Sequence, residues 1–183
     1  MVTIIAICGK TGAGKTTVTK ALSKRLNAMD IMWDDYDEIS KAPAELIEWY
    51  LKGKDYTAFD YTQLAEVLEK LKSGQQVFCP ATNQTLQPKE IIIFDSPLGR
   101  MHQQTGKYID QAFYIDTPLD VSLARWLIRD FKDNKTELIA ELEFYVSKSR
   151  PLFACTDVKD SCDYIVDGML KLEEQVNLII KHM

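Results

Sequence analysis

The sequence predicts an α/β fold in which a parallel sheet is covered by helices on both faces. Three observations carry this expectation. Apolar, β-branched runs of strand length alternate with stretches of helical spacing. The first of these runs, Val2–Cys8, leads directly into a glycine-rich loop. Finally, 183 residues with 46% hydrophobic and 27% charged side chains are one globular domain's worth of chain, with ordinary globular composition. That composition excludes disorder, collagen and coiled coil.

Val2–Cys8 is continuously apolar, as a strand buried on both faces of a parallel sheet should be. Residues 15–27 follow with Val18, Leu22 and Leu26 on one helical face. Ile31–Trp33 reads as a short second strand. Pro43 opens a helix whose apolar stripe is Leu46, Ile47, Tyr50 and Leu51. Asp60–Gln63 has capping-box chemistry and begins a helix that runs to Lys72 and stops at Ser73-Gly74. Gln76–Cys79 reads as a strand, residues 80–89 as a polar loop, and Glu90–Phe94 as another buried strand. Residues 99–107 read as loop or irregular helix around Gly99 and Gly106, and Ala112–Ile115 as a strand. Pro118 starts a helix to about Phe131. After a polar break at Lys132–Lys135, helix resumes over Thr136–Lys148. Asp163–Val166 and Leu170–Ile180 are the expected last strand and last helix. The chain contains no internal repeat and no low-complexity segment.

Net charge is −5, the wrong sign for a sequence-independent binder of nucleic-acid polymers. No apolar run approaches the ~18 residues of a membrane span. Val2–Cys8 is too short for a signal peptide and lacks its charged flank. Cys8, Cys79, Cys155 and Cys162 show no CxxC spacing, so reduced, mostly buried thiols and a cytoplasmic location are expected. Association between copies of the chain is left open.

Gly9-Lys10-Thr11-Gly12-Ala13-Gly14-Lys15-Thr16 is G-x-x-x-x-G-K-T, between a strand and a helix. Small residues there let backbone N–H groups wrap a polyphosphate, and the helix N-terminus adds positive potential. Lys15 is expected on the β- and γ-phosphates and the Thr16 hydroxyl on Mg²⁺, with ATP as the nucleotide. A GTPase would need N-K-x-D just after a strand. Here Asn134–Glu137 lies between helical segments and ends in Glu. The chain also has little room for an oligomeric ATPase module. A small-molecule kinase fits best.

Carboxylates and cations complete that chemistry. Asp34-Asp35-Tyr36-Asp37 follows the second strand, at the end of the sheet that lines the crevice in parallel α/β folds. A carboxylate there can hold an acceptor hydroxyl in line with the γ-phosphate. Asp95 ends a hydrophobic strand and is placed to hold Mg²⁺, directly or through water. Arg is scarce, at five, and four of the five lie between 100 and 150. Arg125 and Arg129, four residues apart on one helix face, suit a lid that closes on the transferring phosphoryl group. Arg150 is a further candidate beside the nucleotide, and His102 is expected to be part of the loop structure.

The order of these elements resembles the uridine–cytidine kinase branch of the P-loop kinases, with phosphoribulokinase and nicotinamide riboside kinase as relatives. Thr16-Thr17 of the loop is shared, and the Asp34-Asp35-Tyr36 segment is similar to the family's Asp-x-aromatic catalytic segment. The alignment implies Asp34 as the base, with Asp35 second. Ala58-Phe59-Asp60, Val77–Pro80, Phe113–Thr117, Arg125 to Asp130, and Tyr145 to Pro151 are also similar. The resemblance implies five parallel strands, Mg²⁺-ATP as donor and a small hydroxylated acceptor. It also implies one domain over 1–183, with an acceptor-side insertion at about 34–89 and a lid at about 125–150. For the acceptor it implies Asp35, Tyr36 and, one position out of register, Asp55. Thr82, Gln84 and Gln87 stand where the family has aromatics and a His, which points to a more polar acceptor than a pyrimidine. Trp126 stands where the family has a lid arginine. A P-loop protein that binds nucleotide as a sensor, with little catalysis, is the alternative from another class.

Overall fold

The computed structural model describes residues 2–183. Its main sheet has five parallel strands in the order β2-β5-β1-β6-β7. These are β1 (Thr3–Cys8), β2 (Met29–Met32), β5 (Ile91–Asp95), β6 (Gln111–Asp116) and β7 (Tyr164–Asp167). Alternate side chains of β1 enter opposite layers of core, as strand geometry requires. Ile4, Ala6 and Cys8 pack with Ile92, Phe94 and the inward stripe of α3 (Thr62–Lys72), which includes Leu64, Leu68 and Leu71. Ile5 and Ile7 pack with Phe113 and two helices on the other face. One is α1 (Lys15–Leu26), through Val18 and Leu22. The other is α9 (Leu172–His182), through Val176 and Ile179. The expected covered parallel sheet is present.

The differences from expectation are local. The second strand ends at Met32, because Trp33 turns inward and starts a 3-10 turn over Asp34–Ile39. The helix after Pro43 is the short α2 (Leu46–Leu51), its start delayed by the extended backbone of Glu45. Residues 80–89 are not all loop. β3 (Val77–Cys79) pairs antiparallel with β4 (Gln84–Leu86) across a turn in which Asn83 is left-handed. β4 is polar and mostly exposed, so it carries no apolar alternation to betray it. Gln103–Gly106 forms α4, then α5 spans Leu119–Phe131 and α6 spans Lys135–Phe144. Past Phe144 the chain widens into a π-turn at Tyr145–Ser149 before α7 (Arg150–Phe153). Pro151 has no N–H to continue the regular ladder there. The short α8 (Asp157–Asp160) leads back to β7. Among the described residues no helix is long and apolar enough to cross a membrane.

Candidate active site

Sheet register builds the first half of the site. Asp95 lies opposite Ile7 of β1 on one side and Met32 of β2 on the other. The last turn of each neighbour therefore opens beside it: the glycine loop after β1, and Asp34 after β2. Backbone bonds lock the register, Trp33 N–H donating to Asp95 O (3.1 Å) and Ser96 N–H to Ile7 O (3.0 Å).

The loop folds as its glycines permit. Gly14 is left-handed (φ 103°) at the start of α1, whose first turn carries no acidic side chain, so its free N–H groups suit an anion. Gly12 is required by contact, since a Cβ there would lie 2.0 Å from the carbonyl oxygen of Ser122 in α5. That contact seats α5 on the loop. Thr117 Oγ1 reinforces it by donating to Ala13 O at 2.9 Å. Lys15 curls over the loop and donates to Lys10 O at 3.3 Å. Thr16 Oγ1 donates to Asp95 Oδ2 at 2.6 Å. Asp95 is 5% exposed. Burial pushes its carboxyl above the ordinary range, opposed by the charge of Lys15 and the Thr16 hydroxyl. A buried carboxylate and a hydroxyl are hard oxygen donors, few in number. They fit Mg²⁺, which binds through one or two protein oxygens and completes its shell with phosphates and water.

Asp34 and Asp35 are exposed in the 3-10 turn. Asp34 is close enough for its charge to act on Asp95 and on the guanidinium of Arg129. Arg129 is kept charged first by its neighbour Asp130, which it grips through two hydrogen bonds of 2.6 and 2.9 Å. Arg125 and Arg150 are exposed on α5 and α7. The structure therefore draws Lys15, Thr16, Asp95, Asp34 and Arg129 together.

It separates the acceptor candidates. Tyr36 is buried, its hydroxyl 3.1 Å from Cys79 Sγ, and with Asp35, Thr82 and Gln84 it lines a cavity of about 370 Å³ at the β2 edge.

 Asp55 is exposed and caps the turn Tyr56–Ala58, accepting from Thr57 N–H (2.9 Å) and Thr57 Oγ1 (2.7 Å). Asp60 caps α3 in the same way through Thr62.

A larger cavity of about 530 Å³ opens beside the glycine loop. Its floor is Gly9, Lys10 and Thr11 with Pro97, Leu98 and Tyr114, at the carboxyl ends of β1, β5 and β6. One wall is Trp126 of α5, stacked on Phe153 of α7 with ring centroids 5.2 Å apart. A second wall is Trp49 of α2, set edge-on to Tyr56 at 5.2 Å and backed by Phe59 at 5.3 Å. Trp49 Nε1 donates to Asp55 O at 2.7 Å, and Phe59 O is bonded in turn to buried His102 at 2.9 Å. Beside the second wall, Lys54 pairs with Asp157 of α8 at 2.5 Å. Sequence reasoning missed this cavity. The available signals were Trp126, an aromatic in place of a lid arginine, and the aromatics Tyr56 and Phe59 near the acceptor segment.

A sheet of this order, a phosphate loop at its centre and a helix, α5, seated on that loop define a P-loop small-molecule kinase. A model of the phosphoribulokinase / uridine kinase family matches residues 4–166, and the chain belongs to that family. A uridine kinase of Anoxybacillus flavithermus is 31% identical over 162 residues, covering 81% of this chain and 77% of that protein. A uridine kinase of Tolumonas auensis is 30% identical over 169 residues, covering 82% and 78%. The shikimate kinase from Acinetobacter baumannii, solved in complex with shikimate, superposes with a TM-score of 0.52 at 14% identity. It covers 100% of this chain and 93% of that one, a likeness of fold alone.

Proposed function

We propose that the protein transfers the γ-phosphate of ATP, as its Mg²⁺ complex, to a hydroxyl group of a nucleoside or similar small metabolite. The observation that carries this reading is the meeting of two sites at one loop. The Thr16–Asp95 pair stands at the helix end of the glycine loop, and the 530 Å³ cavity opens on its first residues, Gly9–Thr11. The names of the relatives, uridine kinases, support a nucleoside-type acceptor.

Roles follow from placement. The loop N–H groups and Lys15 hold the phosphates, with Thr17 and Arg150 further along the nucleotide. Thr16 and Asp95 hold Mg²⁺, which when bound neutralises charge on the bridging phosphate oxygens. Asp34 accepts a hydrogen bond from the acceptor hydroxyl and keeps it in line. Such a carboxylate is a weak base, so its work is chiefly positioning. Arg129, with Arg125 on the same face, stabilises the equatorial oxygens in transfer once it gives up Asp130. The chain acts as one domain, with residues 125–150 as lid. The test is ADP formation from Mg²⁺-ATP over a panel of nucleosides, sugars and other alcohols. Acceptor-dependent turnover is expected, and turnover no faster with any acceptor than without one would overturn the reading.

A further inference from the structure

We propose that the acceptor carries its hydroxyl on a flat, mainly apolar ring, gripped between the Trp126–Phe153 and Trp49–Tyr56 walls. This rests on the phosphotransferase reading and names the substrate class of that site.

Four observations point the same way. First, the walls come from separate parts of the chain, and each is anchored without help from a ligand. Trp126 stands one helical turn past Ser122, which packs on Gly12. Trp49 is held by Asp55 O and by the Phe59 ring. Two preformed aromatic faces in one cavity suit a planar guest, which costs little ordering of the protein. Second, the volume of 530 Å³ lies within the range of small-molecule sites, with room for a one- or two-ring body. Third, among the described residues no Asn, Gln, His or Arg lines the cavity, and its two carboxylates, Glu45 and Glu141, are on an exposed and a half-buried residue. The edge of a uracil ring presents carbonyls and an N–H in fixed array and is read by such groups. The carboxylate that the family resemblance would place on a ribose, Asp55, is engaged by Thr57 instead.

The fourth observation is a buried, unpaired polar handle. Ser149 lines the cavity within the π-turn, is 2% exposed, and its Oγ has no hydrogen-bond partner. A buried hydroxyl left unpaired is costly unless something else satisfies it. One ring nitrogen or ring substituent would do so. The guest is therefore a heteroaromatic alcohol with a hydrogen-bonding ring position for Ser149, its hydroxyl toward Lys10 and Thr11 at the loop. The transfer is balanced in the ordinary way. The acceptor oxygen bonds to the γ-phosphorus, the bond to the β–γ bridging oxygen breaks, and ADP and the acceptor's proton leave.

The experiment has two independent readouts on the full chain. Trp49 and Trp126 both line the cavity, whereas Trp33 is buried in the core against Tyr61. Tryptophan fluorescence is titrated with hydroxymethylpyridines, with uridine and with glycerol, and ADP formation is followed with the same compounds. The pyridine alcohols are expected to quench and to be phosphorylated, with kcat/KM at least about tenfold above uridine. Trp49→Leu and Trp126→Leu should each raise their KM by roughly ten- to a hundredfold, the usual worth of one stacking face, leaving Mg²⁺-ATP affinity intact. Ser149→Ala should weaken hydroxymethylpyridines but not benzyl alcohol. Transfer to uridine or glycerol without quenching by the pyridine alcohols overturns the proposal while the phosphotransferase reading stands. Quenching by the pyridine alcohols without transfer to any compound overturns that reading while the ring-binding cavity stands. Neither quenching nor transfer overturns both.

Discussion

The donor half and the acceptor half of this site are built differently, and the difference explains what each can tolerate. The donor half is short-range and polar. Eight consecutive residues make the phosphate loop, and one distant carboxylate, Asp95, joins it through Thr16. Much of its binding comes from backbone N–H groups, which most substitutions leave in place. The acceptor half is long-range and apolar. Its cavity draws side chains from Lys10 to Val158, and its walls hold only while α2, α5 and α7 keep their places. Drift in the acceptor half can change what is bound while the donor half keeps its chemistry.

The sharpest way to break this division is at the seam. Asp34 follows β2, its charge acts on Asp95, and in the proposed reading it serves the acceptor hydroxyl. Asp34→Asn keeps the shape and loses the charge. We expect kcat to fall by about 10²–10⁴, the usual worth of a positioned acid or base group, with Mg²⁺-ATP affinity within a few fold. Asp35→Asn should hurt less. Steady-state kinetics with calorimetric titration separates the two quantities. A dead Asp35→Asn enzyme beside an active Asp34→Asn enzyme would move the seam by one residue.

A smaller effect is expected wholly within the donor half. Lys15→Ala removes a charge-assisted contact to phosphate worth about 1.5–3 kcal/mol, or roughly ten- to a hundredfold in affinity. Lys15 bonds only to Lys10 O in its own loop, so the fold should be unaffected. Titration with Mg²⁺-ATP and a melting curve check this. Quenching of Trp49 and Trp126 by ring alcohols should be the same as in the wild type. If Lys15→Ala weakens acceptor binding as strongly as ATP binding, the two halves are one unit and the comparison fails.

The same contrast sets what was legible in the sequence. The glycine loop, the alternation of elements and Asp95 at a strand end are local patterns, and each stands where the pattern places it. Arg129 falls near Asp34 because α5, seated on Gly12, must bring its later turns over the loop. The part of Trp49 in the aromatic walls could not be read. α2 has only six residues and no buried side chain of its own, so its spacing says nothing about what Trp49 faces. Thr82 and Gln84 were expected at the acceptor from alignment with a hairpin. The hairpin formed, but its polar strand lies with Asp35 and Tyr36 at the β2 edge. Direction of packing, which alignment does not carry, decided the matter.

The smallest expected effect tests whether the acceptor wall can loosen while the donor half stays intact. His102 is 1% exposed. Its Nε2–H donates to Phe59 O, since a carbonyl can only accept, and Nδ1 then accepts from the Thr105 hydroxyl. Burial holds its pKa below the ordinary value, with the bond to Phe59 acting the other way. The neutral form is therefore the folded form. In the unfolded chain the imidazole takes up a proton near pH ~6.5. The unfolded state thus binds more protons in the window below ~6.5, and the stability His102 contributes, complete above that pH, is lost as pH falls toward its folded pKa. The slope is at most about 1.4 kcal/mol per pH unit. Asp95, with its carboxyl pushed up, acts in the opposite sense, contributing at low pH and losing that contribution as pH rises. Wild type must therefore be compared with His102→Gln, whose amide can still donate to Phe59 O but does not titrate. Melting temperatures from pH 7.5 to 5.5 should fall more steeply for the wild type. Because Phe59 backs Trp49, acid should also change Trp49 emission in a Trp33→Phe, Trp126→Phe background before Mg²⁺-ATP affinity changes. Parallel slopes for the two proteins, or loss of ATP binding in step with the Trp49 signal, would show that the halves share one stability.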